Sequence, residues 1–179
     1  MSASETSIQA SASSRLHTYR EAIASTIRTA MPALRQVESI GSRFSVAELM
    51  KRSIRAPAAF VVLLRAPLSR QPNAQLQANA KVAVFCVTTG REDERESHAF
   101  TIAEAVAVLA ETRQVWGLDR IGPANNMEIE QVLSDALDNK GVACVVAQFE
   151  QRVSGIGRDL LGEDGIVDAA LYFREDGDA

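Results

Sequence analysis

The chain has little of what builds a reactive centre: among its 179 residues are two cysteines, two histidines and no excess of basic side chains. Cys86 and Cys144 cannot frame a disulfide scaffold, and each lies inside an apolar run, where a thiol behaves as a small hydrophobe. His17 and His98 are too few for a zinc or iron centre built on imidazole. Lys and Arg number 19 against 23 Asp and Glu, a formal net charge of −4, which excludes a generally basic nucleic-acid binder. The longest apolar runs, residues 56–64 and 82–87, are far shorter than the ~20 residues that span a bilayer, so no membrane segment is expected. Residues 1–14 lack the basic and apolar regions of a secretory signal. The expectation is a chain made and kept in a cytoplasm, its thiols reduced, until something else releases it.

What is present is the composition of a single globular domain: 46 % apolar and 23 % charged residues support a sizeable core. Residues 1–14 hold seven Ser/Thr and no aromatic, too little apolar surface to offset the entropy of ordering, and read as a flexible arm. From residue 158 on, seven acids stand against two arginines. That acidic tail carries nearly all the net charge and leaves a near-neutral body over residues 15–157.

Within the body, Leu16, Tyr19, Ile23, Ile27 and Ala30 recur at helical spacing until Pro32. Residues 35–40 alternate as a strand, and Ser45 with Glu48 has the spacing of a capping box over a short helix. Residues 58–64 read as a central strand, 66–73 as a loop, and 75–87 as a long strand that is half exposed and then buried. The charged residues 91–96 read as a solvated turn before a helix over 99–116, which Gly117 and the Gly122–Pro123 pair end. Residues 126–137 fit helix and strand equally, residues 142–149 read as a buried strand, and Gly155–Ile156–Gly157 as a turn. The connection over 66–73 is too short for a parallel crossover, so its flanking strands should be antiparallel. The fold class is therefore α+β: a mixed, largely antiparallel sheet of about five strands with helices packed on one face.

Candidate chemistry is sparse. Cys86 with His98 lacks any flanking nucleophile signature, and Cys144 reads the same way. Glu128 and Glu130 share a face if their segment is a strand, which would suit a metal or acid–base pair, but a solvated edge explains them equally. Asp135 and Asp138 read as turn residues. Catalytic, cofactor-binding and metal-binding residues are thus all predicted to be none, and the chain is expected not to be an enzyme.

Three segments together resemble the tail-terminator or tail-completion proteins of Mu-like transposable phages and prophages. They are Phe44-Ser45-Val46-Ala47-Glu48-Leu49 followed by Arg55-Ala56-Pro57-Ala58-Ala59-Phe60-Val61-Val62-Leu63; Ala83-Val84-Phe85-Cys86-Val87-Thr88 followed by a charged loop and a helix ending in Trp116-Gly117; and Leu133-Ser134-Asp135-Ala136-Leu137-Asp138-Asn139-Lys140-Gly141-Val142-Ala143 running on to Phe149-Glu150-Gln151-Arg152. The resemblance covers residues 15–157. It implies a strand over 127–132 and a short helix or turn over 134–138. It also implies a structural virion protein of the tail and neck: a homohexameric ring on the head-proximal end of the tail tube, which stops tube polymerisation and offers a face for head joining. Its expected partners are further copies of itself, the tail tube protein and a neck or head-completion protein, with DNA passing through the lumen unbound. The alternatives are a head-completion (connector-docking) protein and, from another class, a small hydrolase or transferase using Cys86 or Glu128 and Glu130.

A closed ring needs two unlike complementary patches on each copy. The candidates for subunit or tube contact are Gln75, Gln77, Asn79 and Lys81 on the protruding hairpin, and Arg91, Glu92 and Arg95 in the charged loop.

Overall fold

A computed structural model describes residues 14–41, 46–113 and 115–157; the greater part of the expected N-terminal arm, Ser45 and the acidic tail lie outside them. Helix α1 (Arg15–Ala30) buries Tyr19, Ile23, Ala24 and Ile27, the stripe that the helical spacing predicts. The Ser14 side chain accepts from the His17 N–H at its start, which satisfies one of the donors a helix leaves open. Strand β1 (Gln36–Ile40) follows, then α2 (Val46–Lys51), β2 (Ala58–Arg65), β3 (Leu68–Arg70) and β4 (Leu76–Thr89). The chain continues through α3 (Glu92–Thr112), β5 (Ile121–Gln131), α4 (Asp135–Asp138) and β6 (Val142–Ile156).

The six strands form one sheet in the order β1-β2-β4-β6-β5, with β3 beside β4. Only β1 and β2 are parallel; β2 and β4 form the expected antiparallel pair, from Ala58 opposite Val87 to Arg65 opposite Lys81. The fold class is the α+β one that the sequence predicts, with one strand more. That strand, β3, sits inside the expected loop because its two prolines flank it instead of interrupting it, and Pro67 O accepts from Asn79 N–H at 3.0 Å. Three residues are too few for alternation to register.

Four other boundaries differ from expectation. The charged residues after Arg91 are not a loop: Glu92, Asp93 and Glu94 fill the first turn of α3, where carboxylates favour the positive end of the helix dipole. At its other end α3 stops at Thr112, and Trp116, placed in the helix by the sequence reading, lies beyond it. The Gly122–Pro123 pair does not end an element either; it lies within β5, an edge strand interrupted by two register shifts, where a missing N–H is tolerated. Strand β6 runs seven residues past Phe149 and takes in Gly155 and Ile156. Gly155, at φ +79°, is the extra residue where the register shifts between Ser154 opposite Gln77 and Ile156 opposite Leu76, a backbone that glycine adopts without strain. The ambiguous stretch resolves as strand β5 followed by the short helix α4, as the resemblance implies.

Alternation divides the sheet into two faces. The two long helices α1 and α3 cover one, packing Tyr19, Ile23, Ala103 and Val106 against Val61, Val82, Val84, Val145 and Phe149. The opposite face holds a smaller cluster, Ile40, Phe60, Val62, Val87, Val142 and Cys144, closed by Leu137 of α4.

Candidate functional site

The expected contact residues lie at the two ends of β4. Gln77, Asn79 and Lys81 stand on the face away from the long helices, because they alternate with Ala78, Ala80 and Val82, which are buried under that layer. The Gln77 and Asn79 amides are engaged within the chain. Gln71 Nε2 donates to Gln77 Oε1 at 2.7 Å and to Ser154 Oγ at 2.9 Å, and Gln77 Nε2 donates to Ser69 Oγ at 3.0 Å. Asn79 Nδ2 and Asn126 Nδ2 each donate to Glu150 Oε2 at 3.1 Å, while Arg65 reaches Glu150 Oε1 at 3.2 Å. Three donors on one carboxylate, Asn126 first, hold the Glu150 carboxyl below its ordinary range. Lys81 lies directly between Arg65 and Glu150 in the sheet register. Gln75 sits in the turn, its N–H on Asn73 Oδ1 at 3.2 Å. The open face at this end is therefore a pre-bonded polar surface, edged by the exposed Leu68 and Leu76.

Arg91, Glu92 and Arg95 lie at the other end, roughly 40 Å away along β4 at ~3.4 Å per residue. Arg91 occupies the position before the first turn of α3 without a side-chain capping bond, and Glu92 is exposed in that turn. Arg95 is only 11 % exposed, with Nη2 on Asp138 Oδ1 at 3.2 Å, so it fastens α3 to α4. The structure does not bring the two sets together; it puts them at opposite ends of the domain.

The residues weighed for catalysis are scattered. Cys86 is fully buried, and burial, reinforced by Cys144, pushes its thiol well above the ordinary range. Burial raises the Cys144 thiol to about 12, so neither supplies a thiolate near neutral pH. His98 is exposed on α3 and lines a groove between α3 and the α1–β1 connection, together with Met31, Leu34, Ile102 and Ala105. Glu128 and Glu130 do share a face of β5, both exposed, opposite Gln148 and Val146. Among the described residues, no group of three or more His, Cys, Asp or Glu could hold a metal ion, and no helix is long and apolar enough to cross a membrane.

One constellation escaped the sequence reading. Gln151 is completely buried, and its Oε1 accepts from Tyr19 O–H at 2.7 Å and from Trp116 Nε1 at 2.6 Å. Its Nε2 donates to Gly122 O at 2.9 Å, and Trp116 stacks on Phe149 with centroids 5.8 Å apart. The available signal was alternation: Val145, Ala147, Phe149 and Val153 all face the long helices, and the same parity places Gln151 among them.

This arrangement of helices and sheet has relatives. A family model described as Bacteriophage Mu, Gp37 matches residues 15–153. The chain belongs to that family. Membership makes it a bacteriophage protein, and the match begins with α1 and ends within β6, so it takes in the whole described layer of helices and nearly the whole sheet. Among solved structures, a chain from the virion of a native gene transfer agent particle is similar at 15 % identity and a TM-score of 0.38, over 79 % of this chain and 92 % of that one. No curated protein matches.

Proposed function

We propose that the protein is a structural component of the virion, a tail terminator. Six copies form a ring on the head-proximal end of the tail tube, stop tube polymerisation and offer the neck a surface for head joining. The observation that carries this reading is the family match over residues 15–153. Two features are in keeping with it: the polar groups weighed for chemistry are dispersed, and the two candidate contact sets sit at opposite ends of β4, as a molecule between unlike partners requires. The tube protein and a head-completion protein are the proposed partners, with DNA passing through the lumen unbound. The protein works in the virion, after assembly in the host cytoplasm.

Adding the purified protein to growing tail tubes is expected to cap them at one end, seen by electron microscopy as an end-on ring and a halt in length. Tubes assembled in its absence are expected to overrun. Binding to filled heads and not to tube ends would instead assign the protein to head completion.

A further inference from the structure

The two outermost strands of the sheet are chemically unlike. At one side β1 has its carbonyls served by α1: Arg28 Nη2 donates to Val37 O at 2.7 Å and Arg20 Nη1 to Ile40 O at 3.0 Å. Exposed Arg35 and Arg55 add further positive charge beside it, while Lys51 is paired with Glu48 at 3.1 Å. The one carboxylate on β1, Glu38, is already engaged by Gln36 at 2.6 Å and by Arg52 at 3.7 Å. This side is basic.

The other side is β5. Among the described residues it pairs with β6 alone, so its outer edge carries backbone N–H and C=O groups without a strand partner. Glu128 and Glu130 are exposed along it, interleaved with Met127 at 42 % and Ile129 at 38 % exposure, and Leu133 follows at 79 %. The exposed apolar side chains and the open backbone edge gain from being covered, but two copies of β5 laid together would set carboxylates against carboxylates. Four strand spacings, about 19 Å, separate it from its own β1, so only the β1 side of a second molecule can meet it.

We propose that the acidic β5 edge of one copy docks on the basic β1 side of the next, Glu128 and Glu130 facing the cluster of Arg35 and Arg55. Such a contact is head-to-tail, and repetition of it closes into a ring when the rotation between copies allows. The inference rests on the ring reading above and specifies its lateral interface. It leaves the β3–β4 hairpin, at the end of the strands, free for the tube.

The test is complementation between two full-length variants, Glu128→Lys with Glu130→Lys and Arg35→Glu with Arg55→Glu. Copy number is read by mass photometry in solution and on tail-tube ends, and circular dichroism verifies that each variant is folded. Each variant alone is expected to lose assembly by about tenfold or more, like charges now meeting at every contact. Mixed one to one they are expected to assemble again, because each variant's altered side then meets the other's, and a chain carrying all four substitutions should also recover. Parent-like assembly of either variant alone, or no recovery on mixing while the parent assembles, overturns the proposed interface. A parent chain that stays single both in solution and on tubes overturns the ring itself, and the interface with it.

Discussion

At the scale of single residues, the most consequential side chain is one without charge. Gln151 accepts from Tyr19 and Trp116 and donates to Gly122 inside the core, and a buried polar group stripped of its partner costs about 1–3 kcal/mol. Gln151→Leu strands two donors and a carbonyl at once and is expected to destabilise the fold by about 3 kcal/mol, measured by urea unfolding. Tyr19→Phe, which leaves Trp116 on the same oxygen, should cost about 1 kcal/mol, and the double variant less than the sum. Glu150 offers a second measurement. Its carboxyl is held below its unfolded value of 4.5, so its contribution is complete above that pH and is lost as pH falls through the folded value. Stability should therefore decline below about pH 4.5, and Glu150→Gln should flatten that part of the profile; an unchanged acid limb would show that Asn126, Arg65 and Asn79 do not act on the carboxylate.

At the scale of elements, legibility followed length and periodicity. Helix α1, with four buried residues in register, and β4, with its change from alternating to continuous burial, were readable because many residues repeat the same signal. Strand β3 was not, since three residues carry no period, and the start of α3 was not, since Glu92, Asp93 and Glu94 look alike in a solvated turn and in the first turn of a helix. Strand β5 was ambiguous for a related reason: on an exposed edge, burial imposes no alternation. The candidate contact residues were found by their polarity, but polarity could not reveal that Gln77 and Asn79 are bonded within the chain. This bonding makes the hairpin face stiff without removing it from contact. Gln77→Glu with Lys81→Glu is expected to cost the fold about 1 kcal/mol, as both side chains are half-buried on the open face, while weakening tube capping in the microscope assay. Capping that stays at the parent level would remove the hairpin from the contact surface.

At the scale of the whole molecule, charge is distributed by direction. The chain's −4 lies almost wholly in its last residues; on the body, Arg35 and Arg55 stand exposed on the β1 side and Glu128 and Glu130 along β5, so a head-to-tail ring would pair these charges between copies and present little of them to a passing duplex. A ring of this kind is expected to bind double-stranded DNA without the steep salt dependence that phosphate-gripping lysines and arginines produce. Fluorescence anisotropy of a labelled duplex at low and physiological salt tests this, and strong binding that vanishes with salt would contradict a passive lumen. Trp116 is the chain's single tryptophan, and the Gln151 oxygen to which it donates also accepts from Tyr19, so one buried amide gathers three segments that lie far apart along the polypeptide. Its emission therefore reports whether the first helix and the last strand have both arrived, so a ribosome product cut short before Gln151 would announce its incompleteness as light of a longer wavelength.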